Sequence, residues 1–186
     1  MRRIFCLATL IILCTGCSGE NAELNRALEF RQKLLGSEGC SFRAEVTADY
    51  GQTMYSFAMD CLGNSQGDLK FSVAEPETIA GISGTVSDSG GTLTFDDTAL
   101  HFDLIAEEQL SPVSAGWIFL KALRSGCITS VCMEEELLRI SVDDSYEDDA
   151  LGLDIWLDGD NHPLKADILY DGKRILSLSI RNFTLL

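Results

Sequence analysis

The chain has little positive charge. Its 186 residues contain 14 Lys and Arg against 29 Asp and Glu, which gives a formal net charge of −15 at pH 7. Nucleic-acid binding needs a basic surface that neutralises phosphates, so this composition argues against a nucleic-acid partner. The same shortage argues against a basic patch that would hold the protein on anionic lipid headgroups. Any attachment to a membrane must therefore come from another feature.

Histidine is also scarce, which limits the chemistry of a metal or catalytic site. The two histidines, His101 and His162, have no second histidine or cysteine at the spacing of a metal site. The spacing Gly-x-Ser-x-Gly occurs once, at residues 63–67, but the glycines at 63 and 67 are typical of a turn between strands and not of the strand-to-helix elbow of a hydrolase; there is no glycine-rich phosphate loop. The acidic runs 143–149 and 158–161 lack the ordered spacing of a calcium loop and are typical of hairpin turns. We therefore expect no catalytic residue, no metal and no cofactor, with an unrecognised hydrolase as a minor alternative.

Apolar segments of membrane-spanning length are missing as well. A membrane-spanning helix needs about 20 apolar residues, and the N-terminal apolar segment from Ile4 to Thr15 is shorter than that. It follows Arg2 and Arg3 and ends on small residues, an arrangement typical of a secretory signal peptide. We therefore expect the chain to be exported.

The end of this segment, residues 13–17 with the sequence LCTGC, resembles the lipobox of bacterial lipoproteins. It departs from the usual pattern because Leu13 lies four positions before Cys17 and Cys14 fills the usual leucine position. The resemblance implies that residues 1–16 are a cleaved signal peptide and that Cys17 carries a diacylglycerol. The protein would then be extracytoplasmic and lipid-anchored to the bacterial membrane. The alternative is an ordinary secretory signal cut nearby, with Cys17 incidental.

Four further cysteines would be free to oxidise in an exported chain. They are Cys40, Cys61, Cys127 and Cys132. An antiparallel hairpin with a two-residue loop at 50–51 would place Cys40 directly opposite Cys61, in a non-hydrogen-bonded pair where side chains lie close together. This register predicts a Cys40–Cys61 disulfide. Cys127 and Cys132 follow a helix end, and we expect a second disulfide to close the short loop between them.

Alternating apolar residues fill most of the remaining sequence and predict many antiparallel strands. Two segments carry helical signals instead. The first is residues 21–35, and the second has Ser111 at its N-cap, Pro112 at its first position and Gly126 after its end. The apolar stripe of the first helix comprises Leu24, Ala27, Leu28, Leu34 and Leu35.

The last two strands carry two apolar rows whose relation depends on the loop between them. A three-residue loop at 170–172, with a bulge at Gly172, places both rows on one face of the sheet, and we prefer it to a two-residue loop. The rows are Leu164, Ala166 and Ile168, and Leu176, Leu178 and Ile180.

The order of these elements indicates an α+β fold in one domain of residues 22–186, after a lipidated tether at 17–21. With the fragments Gly67-x-Leu-x-Phe-x-Val and Pro76-x-x-Ile-x-Gly, this order resembles the LolA-like group of bacterial lipoproteins. The resemblance implies a strongly curved antiparallel sheet, an incomplete β-barrel, whose concave face is covered by an N-terminal and a central helix. Members of that group carry or sense acyl chains and lipidated partners.

The resulting functional hypothesis is a non-enzymatic, membrane-anchored lipoprotein that binds an acyl chain or another hydrophobic ligand in a concave apolar groove. The alternative is a lipid-anchored protein-interaction or envelope-sensor domain whose core is filled. The expected partners are the membrane, through the acyl anchor, and a hydrophobic ligand or a lipidated protein. The side chains expected to line the groove are Phe42, Val46, Tyr55, Phe57, Phe71 and Trp117.

Replacing the proposed lipidation site tests the anchor. A Cys17→Ser variant has no thiol to accept a diacylglycerol, so we expect it to leave the membrane fraction while the unmodified sequence stays in it. Cell fractionation and immunoblotting measure this distribution, and a Cys132→Ser variant, in which a cysteine outside the signal segment is replaced, is the control. A Cys17→Ser protein that fractionates like the parent contradicts the anchor.

Overall fold

The structure is a computed structural model, and it describes residues 19–96, 98–103, 105–106, 109–146 and 150–186. The predicted signal peptide and Cys17 lie outside these residues. The residues that the structure describes form two helices and one 3-10 turn: α1 (Gly19–Gly36), the turn Pro112–Ser114 and α2 (Ala115–Ser125). The strands are β1 (Gly39–Asp49), β2 (Met54–Asn64), β3 (Leu69–Glu75), β4 (Ser83–Ser87), β5 (Gly90–Phe95), β6 (Thr98–Phe102), β7 (Ile105–Ala106), β8 (Gln109–Leu110), β9 (Cys127–Glu134), β10 (Leu137–Asp143), β11 (Gly152–Leu157), β12 (Pro163–Tyr170) and β13 (Lys173–Leu185).

Eleven of the strands form one antiparallel sheet in the order β6-β5-β4-β3-β2-β1-β13-β12-β11-β10-β9. Strands β1 to β6 form one meander and β9 to β13 form another, and the pairing of β1 with β13 joins the two. Strands β7 and β8 form a separate two-stranded ribbon. The α+β class is confirmed in its coarse form, as a mostly-β chain with one large antiparallel sheet and two helices.

The strong curvature of the sheet that the resemblance implied is not found. Strands β6 and β9 are free edges of the sheet in the described residues, and the sheet is neither closed nor strongly curled. The physical reason lies in β5 and β6, which keep most of their side chains partly or fully exposed. With little apolar surface buried there, nothing drives that end of the sheet to curl into an incomplete barrel.

The β1–β2 hairpin differs from the predicted register by two residues. Val46 lies opposite Phe57 rather than Tyr55, and the last pair before the loop is Asp49 with Met54. The loop therefore contains residues 50–53. It is closed by the backbone N–H of Tyr50, which donates to the carbonyl oxygen of Thr53 at 3.1 Å. Because side chains alternate with a period of two, this shift leaves every residue on its predicted face.

The β12–β13 hairpin also differs from the prediction at its loop. Tyr170 pairs with Lys173, so the turn has two residues, Asp171 and Gly172, with φ of 49° and 69°. Positive φ at both positions is the geometry of a type I′ turn. The extra residue lies within the strand instead, at a bulge beside Ile175. The bulge places Ala166 opposite Leu178 and Ile168 opposite Leu176, so these members of the two rows share a face as predicted, whereas Leu164 is exposed.

Helix α1 begins at Gly19, within the segment expected to be a tether. Its buried side chains are Ala27, Phe30 and Leu34. The predicted stripe is therefore only partly correct, since Leu24, Leu28 and Leu35 are exposed. Phe30 determines the buried side because its ring packs against Phe183 of β13, with centroids 6.0 Å apart.

Arg31 joins α1 to the end of α2. Its Nε donates to the carbonyl oxygen of Leu123 at 2.8 Å, and its Nη2 donates to that of Ala122 at 3.2 Å. Carbonyl groups in the last turn of a helix lack a partner within the helix, and Arg31 supplies a donor to that of Leu123. For Ala122 it is a second donor, because the carbonyl oxygen also accepts from the backbone N–H of Gly126 at 3.0 Å. This contact explains a charged residue within the apolar stripe of α1.

Gly116 sets how closely α2 packs on the sheet. A Cβ atom at this position would lie 3.1 Å from the Cys61 Sγ and Met59 Cε atoms and 3.2 Å from the Leu69 Cδ2 atom. We expect Gly116→Leu to lower the free energy of unfolding by about 1–3 kcal/mol, because the larger side chain forces α2 away from the sheet. Urea unfolding measures the change. The matched control is Gly36→Leu in α1, where a Cβ meets nothing within 4 Å, and equal losses in both variants contradict the close packing.

Candidate functional site

The six residues predicted to line a groove lie on the helix-covered face of the sheet or on α2. Tyr55 is the exception to burial, with 53% of its surface exposed, and its ring lies edge-on to Tyr50 at a centroid distance of 6.3 Å. The other five are buried in the core: Phe42, Val46, Phe57, Phe71 and Trp117.

Helix α2 occupies the space above these side chains. The Phe119 ring meets the Phe42 ring edge-on, with centroids 5.5 Å apart. Leu120 lies over Gly63, so closely that a Cβ on that glycine would come within 2.4 Å of the Leu120 Cδ2 atom. Glycine in β2 therefore admits a leucine of α2 in a place where any other residue would clash. The predicted slot is filled by this helix.

Trp117 is held by a polar contact as well as by packing. Its Nε1 donates a hydrogen bond to the carbonyl oxygen of Gly67 at 3.0 Å, in the turn between β2 and β3. The ammonium group of Lys121 lies 4.8 Å from the centre of the indole ring. A buried indole N–H needs such a partner, so the side chain has a fixed position in the fold.

The surface cavities lie elsewhere. Four of them are described by their lining residues, and in this described part of the chain none is lined by any of the six predicted groove residues. A cavity of about 590 Å³ lies over Gly152, between Asp154 and Tyr170. Another, of about 340 Å³, lies between Phe30 and His162. The first cavity is lined largely by polar groups. The second is lined by both polar and apolar side chains, among them Phe183, whose ring stacks on the buried Phe42 ring.

The predicted Cys40–Cys61 disulfide is absent, and both residues are free thiols in the core. The register explains this correction, because Cys40 lies opposite Gly63, and Cys61 lies opposite Phe42. Burial raises the pKa of Cys40 to about 11 and also raises the pKa of Cys61. Both side chains therefore behave as small apolar groups at neutral pH.

The predicted Cys127–Cys132 disulfide is also absent. The segment is not a loop, because both residues belong to the extended strand β9. Five residues along a strand span about 16 Å, whereas the Cα atoms of a disulfide lie about 4.4–6.8 Å apart. Cys127 is half-buried and Cys132 is exposed.

The opposite face of the sheet carries a polar network that the sequence analysis did not identify. Asp167 is 7% exposed and accepts a hydrogen bond from Ser177 Oγ at 2.8 Å, and Lys165 Nζ lies 3.1 Å from its carboxylate. Asp154, which lies opposite Asp167, forms an ion pair with Arg139 at 2.6 Å. The strand alternation placed these residues on one face, but their partners on neighbouring strands depend on registers that the sequence did not reveal.

The indole of Trp156 lies within this network, between two cations. Lys165 Nζ is 4.2 Å and Arg139 Cζ is 5.6 Å from the ring centre. Its Nε1 donates to a carboxylate oxygen of Glu134 at 3.2 Å. Because each charge here has an opposite charge or a ring as a neighbour, the network is explained as sheet stabilisation.

Neither histidine forms a catalytic or metal arrangement with its described neighbours. His101 Nδ1 lies 3.2 Å from Thr92 Oγ1, and His162 Nδ1 lies 3.6 Å from the carboxylate of Asp158. Among the residues that the structure describes, no group of three or more His, Cys, Asp and Glu side chains could hold a metal ion. In the same residues, neither helix has the length and apolar character needed to cross a membrane.

Thiol accessibility gives a test of this arrangement. In the native protein, reduced beforehand so that all four cysteines are thiols, we expect Cys132 to react with iodoacetamide at pH 8 at least ten times faster than Cys40 or Cys61, because the thiolate is the nucleophile and the raised pKa of the two buried thiols keeps them protonated. Mass spectrometry of timed samples measures the rates, and urea-unfolded protein is the control in which all thiols react. Rapid alkylation of Cys40 or Cys61 in the native protein contradicts their burial.

Comparison with known proteins concerns the fold. No protein-family model matches the sequence, and no match is found among curated proteins. A conserved protein from Thermus thermophilus has a similar structure, with a TM-score of 0.48 and 10% identity over 88% of this chain and 87% of that one.

Two further solved structures are similar to this chain. One is a LolA superfamily protein from Nitrosomonas europaea, with a TM-score of 0.44 and 7% identity over 86% of this chain and 93% of the other. The second is the lipoprotein LppX from Mycobacterium tuberculosis, with a TM-score of 0.41 and 14% identity over 87% of this chain and 93% of the other. A LolA superfamily protein and a lipoprotein are thus among the structures similar to this chain, as the resemblance of its sequence predicts.

Proposed function

We propose that this chain is a non-enzymatic, extracytoplasmic lipoprotein whose folded domain acts through its surface, as a protein-interaction domain. The observation that supports this choice is the filled space between α2 and the sheet. Five of the six residues expected to contact a ligand are buried by the protein's own side chains. The domain therefore has an ordinary core where a carrier would need an open groove.

The energetics of displacing α2 favour the same choice. The helix buries five large apolar side chains, and exposing each one costs about 1.5–3 kcal/mol. An acyl chain that took their place would gain about 0.8 kcal/mol for each buried methylene, so the exchange has little net benefit. The five side chains are Trp117, Ile118, Phe119, Leu120 and Leu123.

The anchor is the second part of the proposal. Cys17 precedes Gly19, the first residue of α1, by two positions. Two residues of extended chain span about 7 Å, so an acylated Cys17 would hold α1 close to the membrane surface. Partners of such a domain would be other proteins of the cell envelope, met at that surface.

Acyl-chain binding is the second candidate, and one observation favours it. Beyond the edge of α2, apolar side chains of the helix-covered face stay exposed, among them Tyr55 (53%), Phe95 (50%) and Leu100 (60%). The strand registers place Leu100 opposite Leu93, and Leu93 opposite Gly84, which pairs with the buried Phe71. A hydrophobic ligand at this rim would extend the core without displacing α2.

A binding experiment separates the two candidates. The protein without residues 1–17 keeps the whole core, whose residues lie between Ala27 and Phe183. We expect a fluorescent fatty acyl probe to show no saturable binding to it at micromolar concentration, because the covered face is filled. Fluorescence titration measures this, and mass spectrometry of membrane-extracted protein should show the acylated Cys17 without a stoichiometric second lipid.

Saturable binding of the probe would overturn the interaction-domain proposal. A Leu100→Ser variant then locates the ligand, since loss of binding in this exposed position favours the rim of β6. A Leu35→Ser variant is the matched control, because Leu35 is 50% exposed on α1 and lies outside that rim.

A further inference from the structure

Strand β9 is the last strand of the large sheet in the described residues, and five of its eight side chains are exposed. It pairs with β10 on one side, and no strand of the described residues pairs with its other side. Thr129, Ser130 and residues 132–134 are exposed. An edge strand presents unpaired N–H and C=O groups that can hydrogen-bond to another chain.

Both cysteines of β9 point to the same face of the sheet. Cys127 lies opposite Asp143, and Cys132 lies opposite Arg139. Two residues that are five positions apart in a regular strand lie on different faces of the sheet. A bulge near Thr129 adds one residue to β9, so these two cysteines lie on the same face. Both thiols therefore share the face of the sheet that carries Arg139 and Asp143 of β10.

The positions of these two cysteines are self-complementary. In an antiparallel pair of two β9 strands centred between residues 129 and 130, Cys127 lies directly opposite Cys132 of the partner subunit. In the same register Ile128 lies opposite Val131 of the partner subunit, and both belong to the helix-covered face because they oppose Val142 and Ile140 of β10. The same register thus pairs cysteine with cysteine on one face of the strand and an aliphatic side chain with another on the opposite face.

We propose that β9 is a dimerisation edge, where two copies of this chain pair antiparallel and are joined by two symmetric disulfides from Cys127 to Cys132 of the partner subunit. Directly opposite residues in an antiparallel pair have Cα atoms about 4.5–5.5 Å apart. This separation lies within the range of about 4.4–6.8 Å that a disulfide requires. The same two residues within one chain are too far apart to bond.

The chemistry needs an oxidant, which the compartment supplies if the chain is exported, and to that extent the inference rests on the proposed function. A Cys132 thiolate attacks the disulfide of an external thiol–disulfide oxidoreductase or of oxidised glutathione and forms a mixed disulfide. The Cys127 thiolate of the partner subunit then displaces the second external thiol. Each bridge releases two protons and transfers two electrons, which leave with the reduced oxidant.

The surroundings of Cys127 leave room for a bridge. The Tyr146 side chain lies beside this thiol, and the proximity raises the pKa of Tyr146. Tyr146 is 93% exposed, so its side chain can turn away without uncovering buried surface. The neighbouring exposed apolar groups Met133 of β9 and Leu24 and Leu28 of α1, a helix that contacts β9, would lie near a second copy at this edge.

The anchor makes a second copy the natural occupant of this edge. A two-fold axis normal to the sheet continues the sheet from one copy to the other and leaves both α1 helices on the same side. Because Cys17 lies two positions before α1, both acyl chains can then enter one membrane. Confinement to one membrane raises the effective concentration of the two copies.

Complementary cysteine variants test the register. The protein without residues 1–17 is incubated in a glutathione redox buffer and separated on a non-reducing gel. We expect the parent to form a covalent dimer, and Cys127→Ser alone or Cys132→Ser alone to stay at least 90% monomeric, because each lacks one half of both bridges. Mixing the two variants should restore a dimer with a single bridge.

Each other outcome overturns the proposal. A dimer that persists in either single variant shows a different pairing, such as Cys132 with itself, and a parent that stays monomeric under oxidation shows that the edge does not pair. A Cys40→Ser variant, whose thiol is buried, should dimerise like the parent and serves as the control. The test uses no membrane, so its failure is distinct from a failure of the Cys17 anchor.

Discussion

The pairing of β1 with β13 is the constraint on which the rest of the structure depends. It joins two meanders that are far apart in the sequence, as in the pair Val46 and Leu178. The entropy lost in closing such a long segment must be offset by contacts at this seam. Those contacts include the stacked rings of Phe42 and Phe183, with centroids 5.9 Å apart, against which Phe30 of α1 and Phe119 of α2 pack. Both helices are therefore positioned by the seam.

The parts of the fold that follow from period-two alternation could be predicted from the sequence. The buried faces of β1 and β2 were correct although their register was wrong by two residues, because a shift of two exchanges partners without exchanging faces. The face shared by Ile168 and Leu176 was also correct, although the bulge lies in β13 and not in the turn. The existence and the end of the second helix were predictable from Gly126, whereas Ser111 and Pro112 begin a 3-10 turn and α2 itself begins three residues later, at Ala115.

The parts that depend on a specific partner could not be predicted in this way. A disulfide needs an exact register, so the same two-residue shift that preserved the faces removed the Cys40–Cys61 pair. The buried side of α1 is set by Phe30 meeting Phe183, a contact between distant residues, and not by its leucines. Whether a groove is open or filled depends on the height of α2 above the sheet, which Gly63 and Gly116 determine by accepting close contacts.

Because the interior is filled, the possible sites of function lie on the surface. On that surface, the edge strands of the sheet present backbone N–H and C=O groups that pair with no neighbouring strand. Eleven strands without closure leave two edges, at β6 and β9, in the described residues. The two differ in what they offer a partner. β6 carries exposed apolar side chains such as Leu100, which favour a hydrophobic contact, whereas β9 carries two thiols in a self-complementary position. Pairing at β9 is the more specific of the two, because an apolar edge can contact many partners, whereas the two cysteines of β9 lie opposite each other in only one register.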